Sequence, residues 1–89
     1  VATAYCQGTV TATGTRPNDR TIAADPDVIP LGSRIRVSGL DDRFKRYNRT
    51  YLVSDTGANI QGRRLDIYIR NCAEAREFGR RSVRVAVVR

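Results

Sequence analysis

The segment Val53-Ser-Asp-Thr-Gly-Ala-Asn-Ile-Gln-Gly-Arg-Arg-Leu-Asp-Ile-Tyr-Ile69 decides the fold of this 89-residue chain. Two short apolar runs flank a turn marked by Gly57 and Gly62, which is typical of two β-strands joined by a loop. One run ends at Asp55 and the other is interrupted by Asp66. The chain has no histidine, so proton transfer near neutral pH falls to a carboxylate with a shifted pKa. Taken alone, Asp55 also fits an ordinary turn former, since Asp before Thr-Gly is common turn chemistry.

Alternation of apolar and polar residues predicts a mainly β fold built from short strands. One helix is predicted between Asn71, which can cap it with Glu74 completing a capping box, and Gly79, which can end it. Short strands in so small a chain favour a closed barrel, which has no open edges. We expect residues 1–89 to form a single domain. The predicted strands are Ala2–Cys6, Thr9–Thr13, Thr21–Ala24, Arg34–Ser38, Tyr51–Ser54, Leu65–Ile69 and Val83–Val88.

The late strand Leu65–Ile69 has two distinct faces. Its three aliphatic residues alternate with Asp66 and Tyr68, so the aliphatic residues point toward the core and the other two point away from it. We therefore expect Asp66 on a groove or outer face, beside an aromatic ring suited to a sugar. An ordinary half-exposed strand tyrosine is the alternative interpretation of Tyr68.

The charge balance is strongly basic, with a net charge of +7 and a pI near 10.4. Such a balance favours an acidic neighbour, for example nucleic acid, an anionic cell wall or a membrane surface. The basic residues are scattered, however, and the chain has neither a basic helix nor the aromatic-rich signature of RNA-binding domains. We therefore expect no nucleic-acid partner and interpret most of the basic residues as solvated surface.

The two cysteines, Cys6 and Cys72, stand near opposite ends of the chain. No C-x-x-C spacing occurs and no histidine is available to complete a site, so we predict neither a metal nor a cofactor. One distant pair in a small domain favours a disulfide and an oxidising compartment; two unpaired buried thiols are the alternative. The sequence has no signal peptide and no apolar run that could span a membrane, so we expect Val1 to follow a cleaved or trimmed leader.

Three motifs resemble a known family: Asp25-Pro-Asp-Val-Ile-Pro-Leu-Gly32, Asp55-Thr-Gly57 and Gly62-Arg-Arg-Leu-Asp-Ile-Tyr68. They are similar to the 3D domain, named for its three aspartates, which occurs in bacterial cell-wall proteins related to the MltA lytic transglycosylases. The likeness runs from Ala4 to Val83. It implies a six-stranded double-psi β-barrel with one short helix, similar to barwin and expansins. It also implies a secreted or periplasmic, cell-wall location and peptidoglycan glycan strands as the partner.

Carried over by motif, the three aspartates of the family are Asp25, Asp55 and Asp66. Asp66 occupies the strand segment that corresponds to the His-Phe-Asp segment of related endoglucanases, expansins and MltA enzymes, so the resemblance implies that it is the acid. Two departures concern the substrate more than the fold. The family usually reads Asp-Thr-Gly-Gly-Ala-Ile-Lys-Gly, whereas this chain lacks that lysine, and a basic insert, Asp41–Arg49, replaces a short hairpin. The departing positions in the loop are Ala58, Asn59 and Gln61.

The supply of carboxylates favours a mechanism with a single acid. An inverting hydrolase needs two carboxylates about 6.5–9.5 Å apart with a water between them. Barwin-like endoglucanases place the base on the first strand, where this chain has only Thr3, Ala4 and Tyr5. A lytic transglycosylase avoids this requirement, since the C6 hydroxyl of muramic acid attacks its own anomeric carbon. We therefore predict cleavage of the β-1,4 bond between N-acetylmuramic acid and N-acetylglucosamine by Asp66.

Two other aspartates and four further residues complete the predicted site. Asp55, Asp25 or partial burial would raise the pKa of Asp66. Tyr5, Thr11 and Thr13, together with Tyr68, are predicted to contact the sugar, although each also fits an ordinary strand residue.

Two alternative functions remain open at this stage. Asp55-Thr-Gly-Ala58 also matches the active-site triplet of retroviral-type aspartic proteases, but that triplet lies in the first third of those chains, and the other aspartate motifs would go unexplained. The stronger alternative is a non-catalytic, expansin-like module that binds peptidoglycan and keeps the acid without turning over. We expect a monomer in either case.

Overall fold

A computed structural model of the chain describes residues 1–88 and shows a mainly β fold with one short helix, as predicted. Six strands form one mixed sheet in the order β1-β5-β2-β4-β3-β6. The segment Lys45–Tyr47 is a 3-10 turn, and α1 is Cys72–Phe78. No helix within residues 1–88 has the length and apolarity needed to cross a membrane. The strands are β1 Ala2–Tyr5, β2 Thr21–Ala24, β3 Arg34–Ser38, β4 Thr50–Asp55, β5 Leu65–Tyr68 and β6 Arg84–Val88.

The sheet contains two parallel and three antiparallel strand pairs within residues 1–88. β1 pairs with β5 and β2 with β4 in parallel, whereas β2–β5, β3–β4 and β3–β6 are antiparallel. Before β6 begins, Arg81 forms an isolated antiparallel bridge with Ala2 of β1, with N–O distances of 2.9 and 2.8 Å. The segment from Arg81 to Val88 therefore pairs with β1 at one end of the strand order and forms β6 at the other end.

The hydrophobic core includes residues from the basic insert Asp41–Arg49. Phe44 and Tyr47 are 1% and 8% exposed and pack with Phe78 of α1, with ring centroids 5.2 and 6.2 Å from that of Phe78. The Arg81 guanidinium lies 4.2 Å from the centroid of the Phe44 ring, a cation–π contact. The insert is thus part of the packing that holds α1 against the sheet.

Helix α1 has the predicted ends and the predicted disulfide. Asn71 Oδ1 accepts a hydrogen bond from the Glu74 backbone N at 3.1 Å, and Gly79 ends the helix with φ of 61°. Such a positive φ is readily adopted by glycine. Cys6 and Cys72 are bonded to each other, with α-carbons 5.1 Å apart. The bond ties the residue after β1 to the first turn of α1.

The predicted strand Thr9–Thr13 is wrong, because this segment is a compact turn. The Gly14 backbone N donates to Thr11 O at 2.9 Å and the Thr11 N donates to Thr15 O at 2.8 Å. Threonine hydroxyls within the segment also bond to one another. Side chains that satisfy local polar groups in this way compete with strand pairing. Val10 is 65% exposed and Ala12 is also exposed, so the apolar residues that suggested a strand do not form a buried face.

Candidate active site

Two of the three aspartates flank one small residue in the middle of the sheet. Ala23 of β2 pairs with Asp66 of β5 on one side and with Asp55 of β4 on the other. Neighbouring strands lie about 4.8 Å apart, so the two aspartate α-carbons are separated by roughly 9.6 Å. Ala23 is 3% exposed but does not belong to the hydrophobic core cluster. It forms the floor between the two carboxylates.

A register shift in β4 brings Asp55 into this position. Val53 pairs with Ile22, but the next residue of β2, Ala23, pairs with Asp55 rather than with Ser54. The extra residue is a β-bulge, a device that redirects side chains at the end of a strand. Without the shift, Ser54 would stand opposite Ala23.

Asp66 is half-buried, and Thr3 is its one side-chain hydrogen-bond donor among residues 1–88. Thr3 lies opposite it on β1, and Thr3 Oγ1 donates to Asp66 Oδ1 at 2.9 Å. Burial raises the pKa of the Asp66 carboxyl above its usual value, and the negative charge of Asp55 adds to that rise. The Thr3 hydrogen bond and the positive charge of Arg64 act in the opposite direction. The net rise favours the protonated form that a general acid needs.

Asp55 is held by three hydrogen-bond donors. The Tyr5 hydroxyl donates to Oδ2 at 3.0 Å, while the backbone N atoms of Ala12 and Thr56 donate to Oδ1 at 3.1 and 2.9 Å. Burial, followed by the hydrogen bond to Asp55 and its charge, raises the pKa of the Tyr5 phenol. Tyr5 therefore stays neutral and acts as a donor to Asp55.

Asp25 links two turns through hydrogen bonds to backbone N atoms, and within residues 1–88 it forms no hydrogen bond with Asp55 or Asp66. Its Oδ2 accepts from the Gly62 backbone N at 2.8 Å and its Oδ1 from the Asp27 N at 3.0 Å. These hydrogen bonds, that of Gly62 first, lower the pKa of the Asp25 carboxyl. Asp25 is not among the groups that shift the pKa of Asp66. It fixes the loop that leads into β5, and hence the start of the strand that carries Asp66.

The remaining predicted residues lie around the two aspartates. The rings of Tyr5 and Tyr68 meet edge to face with centroids 5.4 Å apart. The hydroxyls of Thr11, Thr13 and Thr15 form a triangle with O–O distances of 2.9 to 3.1 Å. Thr11 is 5% exposed, whereas Thr13 is exposed. Their turn borders the site through the Ala12–Asp55 hydrogen bond.

Sequence reasoning missed three contributors to this site: Thr3, Arg64 and Ala23. Thr3 shares a face with Tyr5 by strand alternation, and pairing of β1 with β5 would have placed it opposite Asp66. Arg64 directly precedes β5, and continuing the alternation of that strand by one residue would have put Arg64 and Asp66 on one face. The Arg64 Nη1 donates to Asn59 O at 3.2 Å. Its charge supplies a cation near the acid, where the family motif has a loop lysine.

Within residues 1–88 there is no group of three or more His, Cys, Asp or Glu side chains that could hold a metal ion.

A model of the family described as the 3D domain matches residues 20–89. The chain belongs to the 3D domain family. This confirms the family predicted from the three aspartate motifs.

Two relatives from Bacillus subtilis (strain 168) carry cell-wall names. The cell wall-binding protein YocH is 36% identical over 83 residues, which cover 89% of this chain and 26% of YocH. The putative cell wall shaping protein YabE is 35% identical over 92 residues, which cover 97% of this chain and 21% of YabE. The chain thus spans about a quarter of the length of these relatives.

The fold is also similar to that of a solved structure. The crystal structure of MltA from E. coli matches with a TM-score of 0.71 and 26% sequence identity. The match covers 91% of this chain and 28% of the MltA chain. This 3D domain protein therefore has an MltA-like fold.

Proposed function

We propose that this protein cleaves the glycan strands of peptidoglycan as a lytic transglycosylase, with Asp66 as its single acid and base. The observation that carries the proposal is the environment of Asp66. Its carboxyl is half-buried on the face away from the core, has one hydrogen-bond donor and has a raised pKa. Such a carboxyl stays protonated at a higher pH than an exposed aspartate does.

In the proposed reaction Asp66 acts twice. Its proton passes to the oxygen of the β-1,4 bond between N-acetylmuramic acid and N-acetylglucosamine as the bond to the anomeric carbon breaks. The C6 hydroxyl of the same muramic residue then attacks that carbon, and the Asp66 carboxylate takes up the hydroxyl proton. The product has a 1,6-anhydro ring, and the acid regains its starting form. No water is consumed.

The contacts of Asp55 argue against an inverting hydrolase. An inverting hydrolase needs two carboxylates about 6.5–9.5 Å apart, with a water between them. The α-carbons of Asp55 and Asp66 lie roughly 9.6 Å apart, and this separation is compatible with such a spacing of the carboxylates. However, Oδ1 of Asp55 already accepts two backbone donors, and Oδ2 accepts the Tyr5 hydroxyl. A carboxylate occupied in this way is a poor base for activating water. Asp55 instead positions Tyr5 and adds to the pKa rise of Asp66.

Sugar contacts are assigned to the residues that surround the acid. Tyr5 and Tyr68 offer ring edges and faces, and the Thr11–Thr13 turn offers hydroxyls next to Asp55. Asp25 has a supporting part, because it fixes the loop that enters β5.

We also propose a closed double-psi β-barrel and an extracytoplasmic, cell-wall location. The contact of the Arg81–Val88 segment with both β1 and β3 supports closure. The cell-wall names of the relatives and the disulfide support the location, since disulfides persist in oxidising compartments.

The test is the mass of the products released from purified peptidoglycan. The wild-type protein should release muropeptides with 1,6-anhydromuramic ends, and Asp66→Asn should release none, because an amide cannot donate a proton on demand. Asp42→Asn is the matched control, since Asp42 is exposed and distant in sequence from the site motifs. Reducing muramic ends would instead identify a hydrolase.

A second candidate is a peptidoglycan-binding module without turnover, which the name of the relative YocH favours. In that case the wild-type protein would sediment with peptidoglycan but release no fragments, and Asp66→Asn would bind as well as the wild type.

A further inference from the structure

A surface groove lies next to the acid pair rather than on it. It has a volume of about 790 Å³, and one of its lining residues is Tyr68, which stands two positions after Asp66 on β5. Residues two apart in a strand are separated by about 6.6 Å. The groove is therefore within one sugar ring of the carboxyl that we assign as the acid.

Four arginines line this groove: Arg16, Arg46, Arg49 and Arg70. Two carboxylates lie with them. Glu74 pairs with Arg46, and Asp19 lies 3.8 Å from Arg49 Nη1. Arg49 also donates to the backbone oxygens of Arg46 and Asp19.

The other two arginines remain without partners. Within residues 1–88 neither Arg16 nor Arg70 has an ion pair or a side-chain hydrogen bond, and both are exposed. They stand in one concave surface whose other charges neutralise each other. This surface, which we call the arginine groove, therefore carries uncompensated positive charge beside the acid.

We propose that the arginine groove binds carboxylates of the peptide stem carried by the muramic residue whose bond Asp66 cleaves. The inference rests on the proposed function, because that function places a muramic residue at Asp66. The stem is attached to the sugar through a lactyl ether, so a muramic residue bound at Asp66 would carry the stem beside the groove that Tyr68 lines. Guanidinium groups are suited to carboxylates, since they offer paired donors in one plane.

A phosphate of a wall polymer is the competing anion. Polymers linked through phosphodiester bonds to the muramic C6 oxygen would block the hydroxyl that attacks in the proposed reaction. A muramic residue that is productively bound at Asp66 must have this hydroxyl free. The requirement for a free C6 hydroxyl therefore favours the stem carboxylate over a phosphate as the anion that binds in the groove.

The test compares the double variant Arg16→Gln/Arg70→Gln with Arg80→Gln. Arg80 is exposed and does not line the groove, so its substitution shows how much binding is lost per positive charge removed elsewhere. Three probes are needed: peptidoglycan freed of phosphate polymers, the same glycan after an amidase has removed its stems, and peptidoglycan that retains its phosphate polymers. Binding is measured by co-sedimentation at low salt, and circular dichroism checks that each variant is folded.

The double variant should bind phosphate-free peptidoglycan about tenfold more weakly than the wild type. It should match the wild type on stem-free glycan, and Arg80→Gln should differ little on every probe. An equal loss on stem-free glycan, a loss confined to material that retains phosphate, or an equal loss in Arg80→Gln would each overturn the proposal. If the wild type binds no peptidoglycan at all, the proposed function itself fails. Normal wild-type binding with an unaffected double variant refutes only the groove.

Discussion

At the scale of single residues, the acid is tuned by two opposite charges that share its face of the sheet. Asp55 raises the pKa of Asp66, and Arg64 lowers it. Burial is the largest influence and sets the direction. The charges therefore adjust a carboxyl that the sheet has already partly removed from water.

Opposite pH shifts should follow from removing these charges. Asp55→Asn lowers the pKa of Asp66, so the alkaline limb of the rate profile should move to lower pH. Arg64→Gln raises that pKa, so the same limb should move to higher pH. The measurement is the rate of muropeptide release against pH. Arg63→Gln, the exposed neighbour, is the control and should leave the limb in place. Shifts in the same direction for both variants would contradict this account.

Asp66 should also destabilise the fold when it is ionised. Its pKa in the folded state is raised, so its favourable contribution is present below the unfolded pKa and is lost as pH rises through the folded pKa. Asp66→Asn should therefore melt a few degrees higher than the wild type at pH 7, and the two should converge near pH 3. Thermal unfolding at both pH values tests this. A variant less stable than the wild type at pH 7 would refute the cost of ionisation.

At the scale of elements, strand alternation predicted part of the site and long-range pairing decided the rest. Alternation in Leu65–Ile69 correctly put Asp66 and Tyr68 away from the core. It could not reveal the bulge that brings Asp55 opposite Ala23, because a bulge depends on pairing between β2 and β4. The contact of Thr3 with Asp66 likewise requires strands that are 63 residues apart to pair.

Two segments were interpreted wrongly or incompletely from local composition. Thr9–Thr13 has the β-branched residues of a strand, but its hydroxyls bond to one another and the segment closes into a turn. The insert Asp41–Arg49 was recognised by its charges, yet its two aromatic residues enter the core against α1. The turn is closed by local hydrogen bonds that composition does not reveal, whereas the insert depends on Phe78, a packing partner distant in the sequence.

Asp25 should stabilise the loop that enters β5, and in a pH-dependent way. Its pKa in the folded state is lowered, so its contribution is present above the unfolded pKa and is lost as pH falls through the folded pKa. Asp25→Asn leaves an amide group facing a backbone donor and should lower the melting temperature at pH 7 but much less near pH 2. Asp27→Asn is the control, since the Asp27 side chain is exposed and only its backbone N donates to Asp25. Equal falls in melting temperature for the two variants would show that the Asp25 side chain does not stabilise this loop.

At the scale of the whole molecule, the two ends of the chain are tied into the same structure. Arg81 pairs with β1 before β6 joins β3, and the Cys6–Cys72 bond closes a loop with a sequence separation of 66. In so small a chain the apolar core leaves a narrow margin of stability. Covalent closure of a long loop is therefore a large share of that margin.

Removing the disulfide should consequently lower stability more than any of the site substitutions. Loop entropy for this separation gives about 4 kcal/mol, which corresponds to a fall in melting temperature of about 20 °C for a chain of this size. The measurement is urea unfolding of Cys6→Ser/Cys72→Ser beside the wild type, with and without reductant. Reductant should bring the wild type close to the variant and leave the variant unchanged. A wild type that keeps its midpoint after complete reduction would show that α1 is held by Phe44, Tyr47 and Phe78 alone. In that case the attachment of α1 next to the end of β1 would not depend on an oxidising compartment.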